Sequence, residues 1–185
     1  QTRPHLTRAA LACVLCVLLC GADALRAEDL SGLIESAKDF QYGESFKPLR
    51  MIERETARSS DDPALRKQHA KVIDEALDGE ASEDFKIFLC EQLVLIGSGK
   101  QVPVLEKLLG PGPLGRAALR ALEAIPGEAS TAALRKALEQ VEEPGMIQEL
   151  IDALARRGDE KAIDLIESRL AVDSIPVQKA ALRAL

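Results

Sequence analysis

Four cysteines and two histidines are the residues of this chain best suited to ligate a metal or act as nucleophiles, and their spacing argues against both roles. Cys13-x-x-Cys16 has the separation of a redox or metal motif. It lies inside the apolar run Ala9–Leu19, in a segment expected to be removed. Cys20 could carry a lipid, but Leu19 precedes it where a small residue is needed. That leaves Cys90, and a lone thiol makes no intramolecular disulfide, so packing must hold the fold. His5 falls in the same leader. His69 is flanked by Arg66, Lys67, Gln68 and Lys71, with no His or Cys three or four residues away. It lacks metal-ligand spacing and reads as an exposed, solvated side chain. Carboxylate pairs such as Asp61-Asp62 and Glu142-Glu143 could do acid–base work only in a pocket, and a single-layer helical array offers no obvious one. At turns and helix N-termini they read as structural. No nucleophile elbow, phosphate loop or dinucleotide fingerprint occurs. The sequence therefore predicts no catalytic residue, no metal site and no cofactor.

The elements behind these residues are set by a repeat. An eighteen-residue pattern occurs at Gln92–Leu109, Ala121–Leu138 and Ala153–Leu170, and Ala184–Leu185 opens another copy. The copies align without a gap at spacings of 29, 32 and 31 residues. A period near 30 with one helix–turn–helix per copy predicts an all-α solenoid of antiparallel helix pairs. The composition agrees: 46% of residues are hydrophobic, yet there is no Trp, one Tyr and four Phe. Small aliphatic residues suit closely packed helices better than a sheet core.

Upstream of each copy, apolar columns trace one helix face. They are Phe85/Leu114/Met146/Val177, Leu89/Ala118/Leu150/Ala181, Cys90/Leu119/Ile151/Leu182 and Leu93/Leu122/Leu154/Leu185. Their offsets follow a 3.6-residue period. Cys90 thus falls in a core column, as a small buried hydrophobe. A second helix follows a short turn, with columns Val104/Ala133/Leu165, Leu105/Leu134/Ile166 and Leu109/Leu138/Leu170. The turns hold Gly97 and Gly99, Pro126 and Gly127, and Gly158 and Asp159. Glycine is expected in the left-handed position after a helix, and Asp159 as the cap of the next one. Gly110-Pro111-Gly112-Pro113, Glu143-Pro144-Gly145 and Asp173-Ser174-Ile175-Pro176 punctuate the array into repeats at 82–110, 111–142, 143–172 and an incomplete 173–185. Residues 28–81 fit the pattern less well. They predict helices around Leu30–Ala37, from Phe46 to about Arg58, and over Ala64–Leu77 after an Asp62 cap. This region reads as the helical cap of the array, since a terminal repeat must give one face to water.

Residues 1–27 read as a secretory signal. Arg3 and Arg8 precede the apolar run, and Ala22-Asp23-Ala24 or Ala27 offers cleavage. The run is too short to span a bilayer, so no stable membrane span is expected after signal removal. The product would be exported to the periplasm or cell envelope. Gln at position 1, and an apolar helix still running at Leu185, read as a fragment of a longer protein. Formal net charge is −6, and losing Arg3, Arg8 and Arg26 against Asp23 would make the chain more acidic still. Nucleic acid is therefore not the expected partner, because phosphate contacts need clustered Lys and Arg.

The segment Ala153-Leu154-Ala155-Arg156-Arg157-Gly158-Asp159-Glu160-Lys161-Ala162-Ile163, followed by Leu165-Ile166 and Leu170, resembles a HEAT repeat. More narrowly it is similar to the short bacterial HEAT-like type also found in phycobilisome lyases. The resemblance covers about 82–185 and implies a right-handed α-α superhelix. The stretch Phe88-Leu89-Cys90-Glu91-Gln92-Leu93, then Leu95-Ile96-Gly97, also resembles exported bacterial HEAT-repeat proteins, in which such arrays precede sugar-active or redox modules. The resemblance implies a scaffold or spacer bound to a protein partner or to other domains of a parent chain. The alternative it leaves is the accessory region of an exported enzyme whose catalytic module lies beyond Leu185. The lyase activity does not carry over, because Cys90 sits in a packing column. In HEAT-type arrays the second helices line the concave side, so the resemblance makes Glu106, Arg135 and Glu167, with Lys107, Lys136 and Ser168 beside them, candidate partner-facing residues. Charge reversal at Arg135 and Lys136 is expected to weaken association and leave stability alone.

Overall fold

The structure, a computed structural model, describes residues 30–185. The leader, with Cys13, Cys16, Cys20 and His5, lies outside the described residues. What is described is all-α, with no strand among the described residues. Helix α1 covers 30–37. It is followed by α2 (Lys47–Arg58), α3 (Pro63–Asp78), α4 (Glu83–Ile96), α5 (Val102–Leu108), α6 (Pro113–Ala124), α7 (Glu128–Gln140), α8 (Pro144–Arg156), α9 (Ile163–Ser168) and α10 (Ile175–Ala184). Short 3-10 turns at Ser59–Asp61, Glu160–Ala162 and Arg169–Ala171 lie between them.

Caps and prolines place the helix starts. The Asp62 carboxylate accepts from the Ala64 and Leu65 N–H groups at 3.0 and 3.1 Å, and the Ser82 hydroxyl from Phe85 N–H at 3.1 Å. Each satisfies donors that have no partner within the helix. Pro113 and Pro144 occupy first-turn positions, where a missing N–H costs nothing.

Contacts follow the repeat. Helix α4 packs on α6 and α8 on α10, while α5 packs on α7 and α7 on α9. The buried apolar residues, Leu65 apart, form one continuous cluster from Leu30 to Ala181. Phe85, Leu89, Cys90, Leu93, Leu122, Leu150 and Leu154 are all buried within it. Burial pushes the Cys90 thiol up to about 12, leaving it a protonated, inert core residue. Leu165 and Leu170 are only half-buried at the short α9.

Four expectations are corrected. Leu182 was placed in a core column and is 67% exposed, with Leu185 also exposed. Its column mates Cys90, Leu119 and Ile151 are buried by neighbouring helices, and no described helix packs over this side of α10. His69 was expected in solvent and is only 1% exposed. It lies on the buried stripe of α3 between Leu65 and Ile73, each four residues away, and its charged neighbours occupy the other faces. Gly97 has an ordinary φ of −63° and not a left-handed one. A Cβ there would lie 2.4 Å from Leu93 O and 2.9 Å from Ile125 Cδ1, so the position demands smallness. Asp159 makes no capping bond, since the 3-10 turn Glu160–Ala162 intervenes before α9, and its carboxylate serves elsewhere.

The sequence also concealed a buried polar contact. Gln92, at the head of the first copy, accepts a hydrogen bond from the Thr56 hydroxyl at 2.7 Å. Both side chains are buried, so the bond offsets their desolvation and ties α2 to α4.

Candidate functional site

Ionic contacts recur between side chains about thirty residues apart in the chain. On the first helices, Arg116 pairs with Glu149 (2.8 Å), Arg156 with Glu123 (2.5 Å) and Arg183 with Asp152 (3.4 Å). Arg120 approaches Glu91 at 3.8 Å. Exposed pairs of this kind contribute about 0–1 kcal/mol each, so they set register more than stability.

The candidate partner-facing residues divide into three groups. Arg135 is engaged within the fold. Its Nη1 donates to both Asp159 oxygens at 2.8 and 2.7 Å, and its Nη2 donates to Glu128 at 2.6 Å. The Arg135 side chain is 16% exposed and that of Asp159 8%. The hydrogen bonds Arg135 donates to Asp159, then to Glu128, raise its pKa above the ordinary value. Gly158, at φ +64°, turns the chain so that Asp159 reaches back to α7. Lys161 and then Arg135 hold the Glu128 carboxyl below the usual range. Arg135→Glu would set a third carboxylate against Asp159 and Glu128. We expect it to lower the melting temperature by about 2–4 °C, the effect of roughly 1 kcal/mol in a domain of this size. Reversal at this position therefore changes stability, and thermal denaturation monitored by circular dichroism checks it. An unchanged melting temperature would mean that the clamp contributes nothing.

Glu167 and Ser168 form the second group. Both are exposed at the end of α9, and the Ser168 hydroxyl donates to Leu165 O at 2.6 Å.

Glu106, Lys107 and Lys136 form the third group, and the structure brings them together. They line a groove of about 750 Å³ between α5, α7 and the start of α8. Lys136 bonds Glu106 across the two second helices, and Lys107 bonds Asp78 at 2.6 Å. The floor is apolar, made by Leu109, Ala137, Val141, Met146 and Leu150. Gly110, Pro111 and Glu143, read from sequence as punctuation, form its walls together with Glu142. The expectation that a helical array of this length has no obvious pocket is thus overturned. Its volume lies in the range of ligand-binding clefts.

One wall is capped by a carboxylate. Glu143 accepts from the N–H groups of Gly145 at 2.9 Å and Met146 at 2.6 Å, fixing the start of α8. These backbone bonds hold its pKa below the ordinary 4.5. A carboxylate depressed by folding stabilises the fold above the unfolded value, and that contribution is lost as pH falls through the folded one. Acid unfolding below about pH 4.5 should therefore be less steep in Glu143→Ala than in the parent. Denaturant titrations at successive acidic pH values test this, and identical slopes would remove the cap from the account.

Among the described residues, no group of three or more His, Cys, Asp or Glu side chains could hold a metal ion. No described helix is long and apolar enough to cross a membrane. These features define, over the described residues, an all-helical protein with an amphipathic groove between α5, α7 and the start of α8. Compared with known protein families, curated proteins and solved structures, the chain matches none.

Proposed function

We propose that this chain is an exported HEAT-like solenoid, a right-handed superhelix of helix pairs that serves as a protein-interaction scaffold or spacer within a larger protein. The observation that carries this reading is the groove. Lys107 and Lys136, at equivalent positions of α5 and α7, converge with Glu106 over an apolar floor. The pairing of α4 with α6, α8 with α10 and α5 with α7 supports the solenoid. In such an array each helix pair contacts only its neighbours, so its surface is extended and available to a partner. The apolar run and alanine-rich cleavage region of the leader support export.

Site-specific photo-crosslinking in the exporting cell tests the proposal. A crosslinker at Lys136 or Gln140 in the groove should capture a discrete protein or another domain of the parent chain. One at Arg120 or Lys179, on the first helices, should not. Equal capture from both sets, or none from the groove, would remove the scaffold role.

A further inference from the structure

The charges around the groove do not cancel, and they vary along its length. At the α5 end, Lys107 is neutralised by Asp78 at 2.6 Å, and Lys136 by Glu106. At the α8 end, Glu142 and Glu143 line the wall. No described cation makes an ion pair with either carboxylate. Arg116 is near enough to act on Glu143 electrostatically, but its ion pair is with Glu149 at 2.8 Å. Both carboxylates therefore stand without a paired cation beside an apolar floor, Glu142 exposed and Glu143 held by the Gly145 and Met146 N–H groups, in a chain whose formal net charge is −6. An anionic occupant would meet repulsion there, and a purely apolar one would gain nothing from the carboxylates.

We propose that the groove takes a cationic amphipathic helix of a partner protein, an inference that rests on the scaffold reading above. Its apolar side chains, spaced i, i+3, i+4 and i+7, lie over Leu109, Ala137, Val141 and Met146. Its Lys or Arg residues sit against Glu142 and Glu143. The apolar contacts supply affinity, and the carboxylates set the direction in which the helix lies and exclude acidic segments. About 750 Å³ accommodates anchoring side chains and not a whole domain, so recognition rests on one segment of the partner.

Fluorescence anisotropy on the full exported chain tests this with three labelled synthetic helices. One carries Leu at i, i+3, i+4 and i+7 with flanking Lys, the second has Glu for each Lys, and the third has Ser for each Leu. The Leu/Lys peptide should bind at least about tenfold more tightly than either other peptide. Ala137→Arg, which fills the floor, and Glu142→Lys, which reverses the exposed wall, should each weaken it about tenfold or more. Asp173→Lys makes the same charge change on an exposed acid outside the groove and should leave affinity unchanged. Unaltered circular dichroism melts show that the variants are folded. Equal binding of the Lys and Glu peptides, equal loss in Asp173→Lys, or no binding of the Leu/Lys peptide would overturn the proposal. Crosslinks from Lys136 to a partner lacking any cationic helix would leave the scaffold standing and remove this occupant. Absent groove crosslinks would remove the scaffold itself.

Discussion

Arg157→Ala is expected to lower the melting temperature by about 6–12 °C, the consequence of losing about 3 kcal/mol in a domain of this size. Arg157 follows α8, and its guanidinium reaches back to the preceding repeat. Nη1 donates to the carbonyls of Leu122, Glu123 and Ile125 at 3.2, 2.8 and 3.0 Å. Nη2 donates to Gly127 O at 3.2 Å and Ser130 Oγ at 3.0 Å, and Nε to Thr131 Oγ1 at 2.9 Å. The last carbonyls of α6 have no partner within their own helix and form the negative end of its dipole. A planar cation with five donors satisfies several of them at once. Truncation leaves those carbonyls without their charged donor and uncouples two repeats. Arg157→Lys should recover part of the loss, because an ammonium keeps the charge but not the fork. Its neighbour supplies the contrast. Arg156 makes an exposed ion pair with Glu123, so Arg156→Ala should cost less than about 1 kcal/mol. Thermal and urea denaturation of the three variants decide the matter. Equal losses at 156 and 157 would show that the carbonyl cluster carries no special weight.

Gly115→Ala is expected to destabilise by about 3 kcal/mol, against the direction that helix propensity predicts. Gly115 lies in the first turn of α6, and propensity alone would favour alanine by up to about 1 kcal/mol. Packing reverses the sign. A Cβ at this position would lie 1.8 Å from Gly110 O and 2.6 Å from Gly110 C. These are backbone atoms and cannot rotate aside, so the Gly110–Pro111 segment must move. Overpacking of that severity costs at or above the upper end of the usual 1–3 kcal/mol. The same segment is a wall of the groove, so the variant should also bind the Leu/Lys peptide less tightly. Gly99→Ala is the control, since nothing lies within 4 Å of a Cβ there. Urea denaturation compares the two. A Gly115→Ala protein as stable as the parent would mean that α6 does not pack this closely against Gly110.

Much of the helical layout was legible in the sequence because its signals are local. Asp62 and Ser82 cap the helices they precede, and Pro113 and Pro144 stand in first turns, each a matter of a few adjacent residues. The core columns were legible for the same reason, since Phe85, Leu89, Cys90 and Leu93 bury one face through the helical period alone. The groove left only an indirect signal. Leu109, read as a core-column residue with Leu138 and Leu170, and Val141, assigned to no column, each end a second helix shortly before a Gly/Pro break and are only half-buried. That pattern marks half-buried apolar residues at a gap between repeats.

By itself, then, the sequence determined the all-α class, most of the helix starts and most of the residues that face inward, because periodicity and capping act over one or two turns. It could not determine what polar side chains do across the repeat. Arg156 and Arg157 are adjacent and identical, yet one is an exposed ion-pair partner and the other spans the end of α6. Arg135 and Lys136 are adjacent as well, one clamped to the shielded Asp159 and the other at the lip of the groove. His69 sits among Arg66, Lys67 and Lys71 in sequence and on the buried stripe of α3 in space. Neighbouring helix positions point about 100° apart, so the tertiary packing of helices roughly thirty residues distant decides which neighbour meets water and which meets protein.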